Sequence, residues 1–154
     1  MHMSIDPAIS PRTGHISVVM PALRPRNLAC VSTDSRLQRG IASEQLAAEY
    51  LRARGLVVLA RNVRCRAGEL DLVCLDGGVL AIVEVRQRAR IDFGGALASV
   101  TWRKQRKIIR AAQFFLQRRP QWCACAMRFD VVAVEGLPAG IHHIVWIKDA
   151  FRAT

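Results

Sequence analysis

The stretch that decides the fold is GELDLVCLDGGVLAIVEVR, residues 68–86. It reads as two strands, about 69–76 and 79–87, joined at Gly77–Gly78. A two-residue turn there pairs residues whose numbers sum to 155, so Asp71 opposes Glu84 and Glu69 opposes Arg86. Moving the turn by one residue preserves the parity, and Asp71, Glu84 and Arg86 still share a face. That face continues toward the turn as Val73, Leu75, Leu80 and Ile82. The other face carries Leu70, Leu72, Cys74, Val79, Ala81, Val83 and Val85. With both faces apolar, these are central strands covered on each side. The acids begin where one apolar face ends, at the rim of the core.

Two opposed carboxylates repel, and burial disfavours their charge. A divalent cation would offset this. Mg²⁺ takes carboxylate oxygens, keeps several waters and can hold a phosphate at the same time. A salt-bridged rim, with Arg86 neutralising Glu69 or Glu84, would also offset it. The hairpin by itself leaves both open.

Working outward, a helix is expected from about residue 35 to Arg54, stopped by Gly55. Leu37, Ile41, Glu44, Ala48 and Leu51 recur at helical steps and form one face, with Glu44 inside it. That acid either reaches the hairpin carboxylates or pairs with an arginine. A strand at 56–60 and the segment Asn62–Arg64 lead into the hairpin. Residues 88–98 form a loop, 100–118 a second helix that stops before Pro120, and 128–134 and 141–147 two further strands. The expected order is α-β-β-β-α-β-β, a mixed central sheet flanked by helices in one domain, residues 35–154. Residues 1–34 hold four of the six prolines and no sustained period, so they are expected to be a disordered extension.

The net charge is +11, and all but three of the 23 Lys and Arg lie beyond residue 35. A polyanion is the expected partner, nucleic acid before an anionic membrane. In the second helix Ile108, Ile109, Ala112, Phe115 and Leu116 make a core stripe. Arg103, Arg106, Lys107 and Arg110 make a basic one. With Arg88 and Arg90 before the helix they would track a phosphate backbone. Trp102 would stack on a base, whereas Trp122 and Trp146 are expected to pack. A solvated helix face is the plainer alternative. The five cysteines match no zinc spacing, and Cys123-Ala-Cys125 alone is a weak ligand pair. No apolar run of about 18 residues is present. A reducing cytoplasm is expected, and a homodimer is left open.

The hairpin also carries a resemblance. Asp71 followed by Glu84-Val85-Arg86 resembles the D…(D/E)-x-K signature of restriction-endonuclease-like nucleases. A wider string is similar to the YraN family of bacteria. Its pieces are EQLAAEYL at 44–51, Arg61–Asn62, GELDLV at 68–73, VEVR at 83–86, Lys104–Gln105, Ala111–Ala112 and RFDVV at 128–132. The resemblance implies an α/β, restriction-endonuclease-like fold. It also implies a Mg²⁺- or Mn²⁺-dependent endonuclease, or a non-catalytic nucleic-acid-binding module on the same fold. Similarity to archaeal Holliday-junction resolvases implies structured DNA rather than RNA as partner. Carried over by position, Asp71 and Glu84 would bind the metal, with the Val85 carbonyl as a third ligand and Glu44 approaching from the first helix. Arg86 stands where the signature has Lys. Arginine stays charged and cannot serve as a base, but it can hold a phosphate and stabilise transition-state charge. Lys104 is the candidate substitute, and simple drift of Lys to Arg is the alternative.

Overall fold

The computed structural model describes residues 15–21, 35–88, 100–136 and 141–153. Strand β1 (His15–Pro21) precedes helix α1 (Ser35–Arg52). Strands β2 (Val57–Cys65), β3 (Gly68–Asp76) and β4 (Val79–Arg88) follow. Helix α2 (Trp102–Gln117), a 3₁₀ turn at Pro120–Trp122, and strands β5 (Met127–Gly136) and β6 (Ile141–Phe151) complete the chain. The sheet order is β1-β6-β5-β4-β3-β2. Strands β4 and β5 run parallel across the α2 crossover. Every other neighbouring pair is antiparallel. The result is a mixed α/β sheet: five strands in the expected order, with β1 added at one edge.

The β3–β4 hairpin has the expected register, from Leu72↔Val83 to Asp76↔Val79. Gly77 and Gly78 have φ of 56° and 97°, the conformation that a tight hairpin turn requires and glycine adopts without strain. At the end of α1 the Leu56 amide donates to Leu51 O and the Gly55 amide to Arg52 O. This is a Schellman ending, with Leu56 and Leu51 buried together behind it.

Alternation along the strands feeds two cores. On one face Leu72, Cys74, Ala81, Val83, Val132 and Val134 pack with Ala47, Ala48, Tyr50 and Leu51 of α1. On the other, Val73, Leu80, Ile82 and Val131 pack with Ile108, Ala111, Ala112 and Phe115 of α2. Leu70 departs from the expected parity and joins the α2 side. The α1 face also differs from expectation. Ala48 and Leu51 are buried, but Ile41 is 56% exposed and Leu46 and Ala47 are buried instead. The stripe drifts because a sequence period fixes a face only where the helix lies over the sheet.

Strand β1 corrects the expectation that all of residues 1–34 are disordered. Residues 15–21 pair along β6, from His15↔Ile147 to Pro21↔Ile141. Their partner lies more than 100 residues away, which no local pattern reveals. The remainder of that segment lies outside the described residues.

Beside Val83 in the β4–β5 ladder, Asp130 is fully buried in the core. It accepts from Arg128 Nε (3.0 Å), Trp146 Nε1 (3.1 Å) and the Asp149 amide (2.9 Å). Arg128 also donates to Asp76 at 2.6 Å, tying β5 to the hairpin tip. The RFDVV string is therefore structural in this part of the molecule.

Candidate functional site

The β3–β4 ladder ends at Leu72↔Val83, and the two strands part beyond it. Strand β3 stays with β2, through Leu70↔Val63 and Glu69↔Arg64. Strand β4 stays with β5, through Glu84↔Val131 and Val85↔Val132. Asp71 sits in this fork. Its Oδ2 accepts the Val85 amide at 2.8 Å, taking a donor that the separated strand no longer satisfies.

Glu84 is only 3% exposed. Its Oε1 lies 3.1 Å from Lys104 Nζ and 3.4 Å from Arg86 Nε. The Arg86 contact is close enough for charge attraction but is not aligned as a hydrogen bond. Glu84 Oε2 is buried with no hydrogen-bond partner. Burial, and then repulsion from Asp71, push the Glu84 carboxyl up to about 7 despite Lys104 and Arg86. Asp71 is also raised, chiefly by burial, against the Val85 amide and Lys104. Glu44 is raised by burial, opposed by a hydrogen bond from Asn62, and it feels the charge of Asp71.

Asp71 is thus the electrostatic link between Glu44 and Glu84. The three do not close into one ligand set: among the described residues, no three His, Cys, Asp or Glu side chains gather as a metal cluster. The helices explain why. Glu44 arrives from α1 on one face of the sheet and is held by Asn62. Glu84 belongs to the face under α2 and is drawn to Lys104. Asn62, at φ 50°, was not singled out by its sequence. The only signal was the Arg61–Asn62 pair, since asparagine tolerates the left-handed conformation better than most residues.

Gly68 lets α2 close on the site. A Cβ there would lie 3.1 Å from Lys107 O. The Thr101 hydroxyl caps α2 by accepting from the Lys104 amide at 3.3 Å, which fixes the first turn. Between the β2–β3 turn and α2 lies an open depression of about 380 Å³, lined by Arg64, Cys65, Gly68, Glu69, Lys104 and Lys107. Arg103, Arg106, Lys107 and Arg110 are exposed, as expected. Arg88 is half-buried at the end of β4, and Arg90 lies outside the described residues. Trp102 is 66% exposed, with the Arg106 guanidinium 4.7 Å from its ring centroid. Trp146 is buried, as expected of a packing residue. His143 lies 3.5 Å from Glu135, and Cys123 donates to Leu116 O, so neither belongs to this site. Among the described residues no helix is long and apolar enough to cross a membrane.

The carboxylate strings that build the fork fall within residues 43–134, and those residues match one family model, described as uncharacterised protein family UPF0102. The chain belongs to this family. A UPF0102 protein of Pseudomonas putida (strain GB-1) is 48% identical over 118 residues, 77% of this chain and 96% of its own length. One from Halorhodospira halophila is 49% identical over 115 residues, 75% and 88% of the two chains. One from Xanthomonas euvesicatoria pv. vesicatoria is 50% identical over 119 residues, 77% and 95%. UPF0102 is the family that the YraN resemblance pointed to. Its description names no activity.

Proposed function

We propose that this UPF0102 protein is a divalent-metal-dependent endonuclease acting on DNA, on a restriction-endonuclease-like core. One observation carries the reading: two buried, mutually repelling carboxylates, Asp71 and Glu84, meet at a strand fork beside a basic depression, and Glu84 Oε2 has no partner. Those residues fit Mg²⁺ or Mn²⁺. Mg²⁺ is commonly held by one or two carboxylates plus substrate phosphate, so a third protein carboxylate is not required. Asp71 and Glu84 would hold the ion. Glu44 would act from farther out, through its charge on Asp71. When bound, the ion supplies charge neutralisation at the phosphate and activation of water.

The chain's own side chains do the remaining work. Arg86 and Lys104 flank Glu84 and are each about 30% exposed, able to turn toward a phosphate. Arg86 stabilises negative charge on the phosphoryl oxygens. Lys104 stands closer to Glu84 than Arg86 does and takes the place of the signature lysine. Lys107, Arg103, Arg106 and Arg110 hold the backbone of the nucleic acid. Nothing in this set reads base edges in a groove, so backbone and branch shape select the substrate. The free thiols of Cys65, Cys74, Cys123 and Cys125 suit a reducing cytoplasm, where we place the protein.

A non-catalytic binding module is the second reading, and one observation favours it. Lys104 and Arg86 already neutralise Glu84 without a cation. A cleavage panel separates the two, with single-stranded, duplex, flap and four-way-junction DNA and RNA controls, each in Mg²⁺, Mn²⁺ or EDTA. Endonuclease action predicts cutting that needs a divalent ion. Salt-sensitive binding with no turnover on any substrate would support the module instead.

A further inference from the structure

We infer that the outer face of α2 is a binding track for an unpaired DNA strand, ending in a base stacked on Trp102. The inference rests on the nuclease reading for its basic side chains and deepens it by naming the substrate class, with Trp102 as the added element. At about 100° per residue, Lys104, Lys107, Arg103, Arg110, Arg106 and Trp102 follow one another around the helix. They sweep an arc of roughly 160–200°, from the carboxylate fork to the solvent side. On a cylinder roughly 10–12 Å across, that path is roughly 15–20 Å long, the reach of a few extended nucleotides.

Three features point to a ligand on this track. Trp102 is the most exposed large apolar side chain among the described residues, and it is not covered by the core. The Arg106 guanidinium stands over its ring, so a flat cation and a flat indole are already assembled as a stacking element. Helix α2 carries no acidic residue in its first turn, and its bases crowd the end where a helix dipole favours anions. That placement disfavours the free helix and is relieved by phosphates. Beside the track, the unpartnered Glu84 Oε2 marks where the strand would meet the fork.

An aromatic platform beside a basic stripe distinguishes a single strand from a duplex. Bases of an unpaired strand offer a face for stacking, whereas paired bases are already stacked on each other. Phosphate contacts are common to both forms. Trp102 therefore adds affinity for unpaired DNA alone, and the arginines add affinity for either form.

The test is binding of the full chain to labelled single-stranded and duplex DNA in EDTA, where no cutting occurs. Trp102→Ala is expected to weaken single-strand affinity by roughly 5- to 100-fold, as loss of one base–aromatic stack does. Duplex affinity should stay within about twofold. The salt dependence of single-strand binding should keep its slope, because no phosphate contact is lost, whereas Arg103→Ala should lower it. Trp102→Phe should restore most of the affinity. Tryptophan quenching by single-stranded DNA should largely vanish in Trp102→Ala, since Trp146 is buried and Trp122 is packed against the α2-side core, off the track. Equal losses for both DNA forms, or no loss for either, would overturn the inference. Cleavage in Mg²⁺ is scored separately. A protein that cuts while Trp102→Ala binds like wild type loses only this inference. A protein that never cuts yet shows the selective loss keeps it and loses the nuclease reading.

Discussion

Glu84→Gln should stabilise the metal-free protein at alkaline pH while abolishing its chemistry. Glu84 is raised from an ordinary value near 4.5 to about 7, by burial first and by Asp71 second. Below about pH 4.5 the residue is protonated in both folded and unfolded chains and contributes nothing. Between about 4.5 and 7 the unfolded chain has released a proton that the folded chain retains, so stability falls as pH rises. Above 7 the full cost is present. A tenfold displacement of a proton equilibrium is worth about 1.4 kcal/mol, which puts that cost at roughly 3 kcal/mol. Glutamine keeps the shape and removes the charge, but it leaves an amide group to be satisfied, at a cost of about 1–2 kcal/mol. The net gain at pH 8 should be about 1–2 kcal/mol, or roughly 2–8 °C in Tm for a chain of this size. Part of it comes through Asp71, which loses its repelling neighbour. Urea unfolding in EDTA at pH 5 and pH 8 measures this. The variant should match or fall slightly below wild type at pH 5 and exceed it at pH 8. Added Mg²⁺ should narrow the difference by stabilising wild type alone. A variant less stable than wild type at pH 8 would show that Lys104 and Arg86 already satisfy Glu84, leaving the fork no need of a cation.

Asp130→Ala should cost about 3–5 kcal/mol, because it strands Arg128 Nε, the Trp146 N–H and the Asp149 amide in a buried network, although Arg128 keeps Asp76. Chemical denaturation gives the value, and a loss below about 1 kcal/mol would refute that role. Lys104→Met should lower the cleavage rate by at least about 10²-fold, if it replaces the signature base. Arg86→Lys should stay within about tenfold of wild type. The reverse ranking in single-turnover assays would return the central role to residue 86. Gly68→Ala should destabilise by about 1 kcal/mol, since its new methyl would press on the Lys107 carbonyl. Unchanged stability would mean that α2 can shift away from the β2–β3 turn.

The hairpin was legible because its cues are local. Two glycines fix the turn, a period of two fixes the faces, and the register follows. The Gly55 helix stop and the two stripes of α2 were legible for the same reason. Non-local pairing was not. Strand β1 finds its partner at the far end of the chain, and the parting of β3 from β4 depends on each strand's other neighbour. The sequence put Asp71 opposite Glu84, and the fork turned that pairing into a bond from Asp71 to the Val85 amide. Glu44 was seen as an odd acid on a buried face. Its distance from a closed ligand set follows from α1 and α2 lying on opposite sides of the sheet. Lys104 was legible as a nearby base, but its 3.1 Å contact with Glu84 needed the packing of α2 over Gly68.

The most direct measurement of the central claim is the Mg²⁺-dependent cleavage rate of a labelled branched DNA with a single-stranded arm, comparing wild type with Asp71→Ala. If the fork is the catalytic centre, wild type cuts in Mg²⁺ and not in EDTA. Asp71→Ala, folded and still bound to the DNA, would not cut. Equal rates for the two proteins, or no cutting by wild type in Mg²⁺ or Mn²⁺, would contradict it.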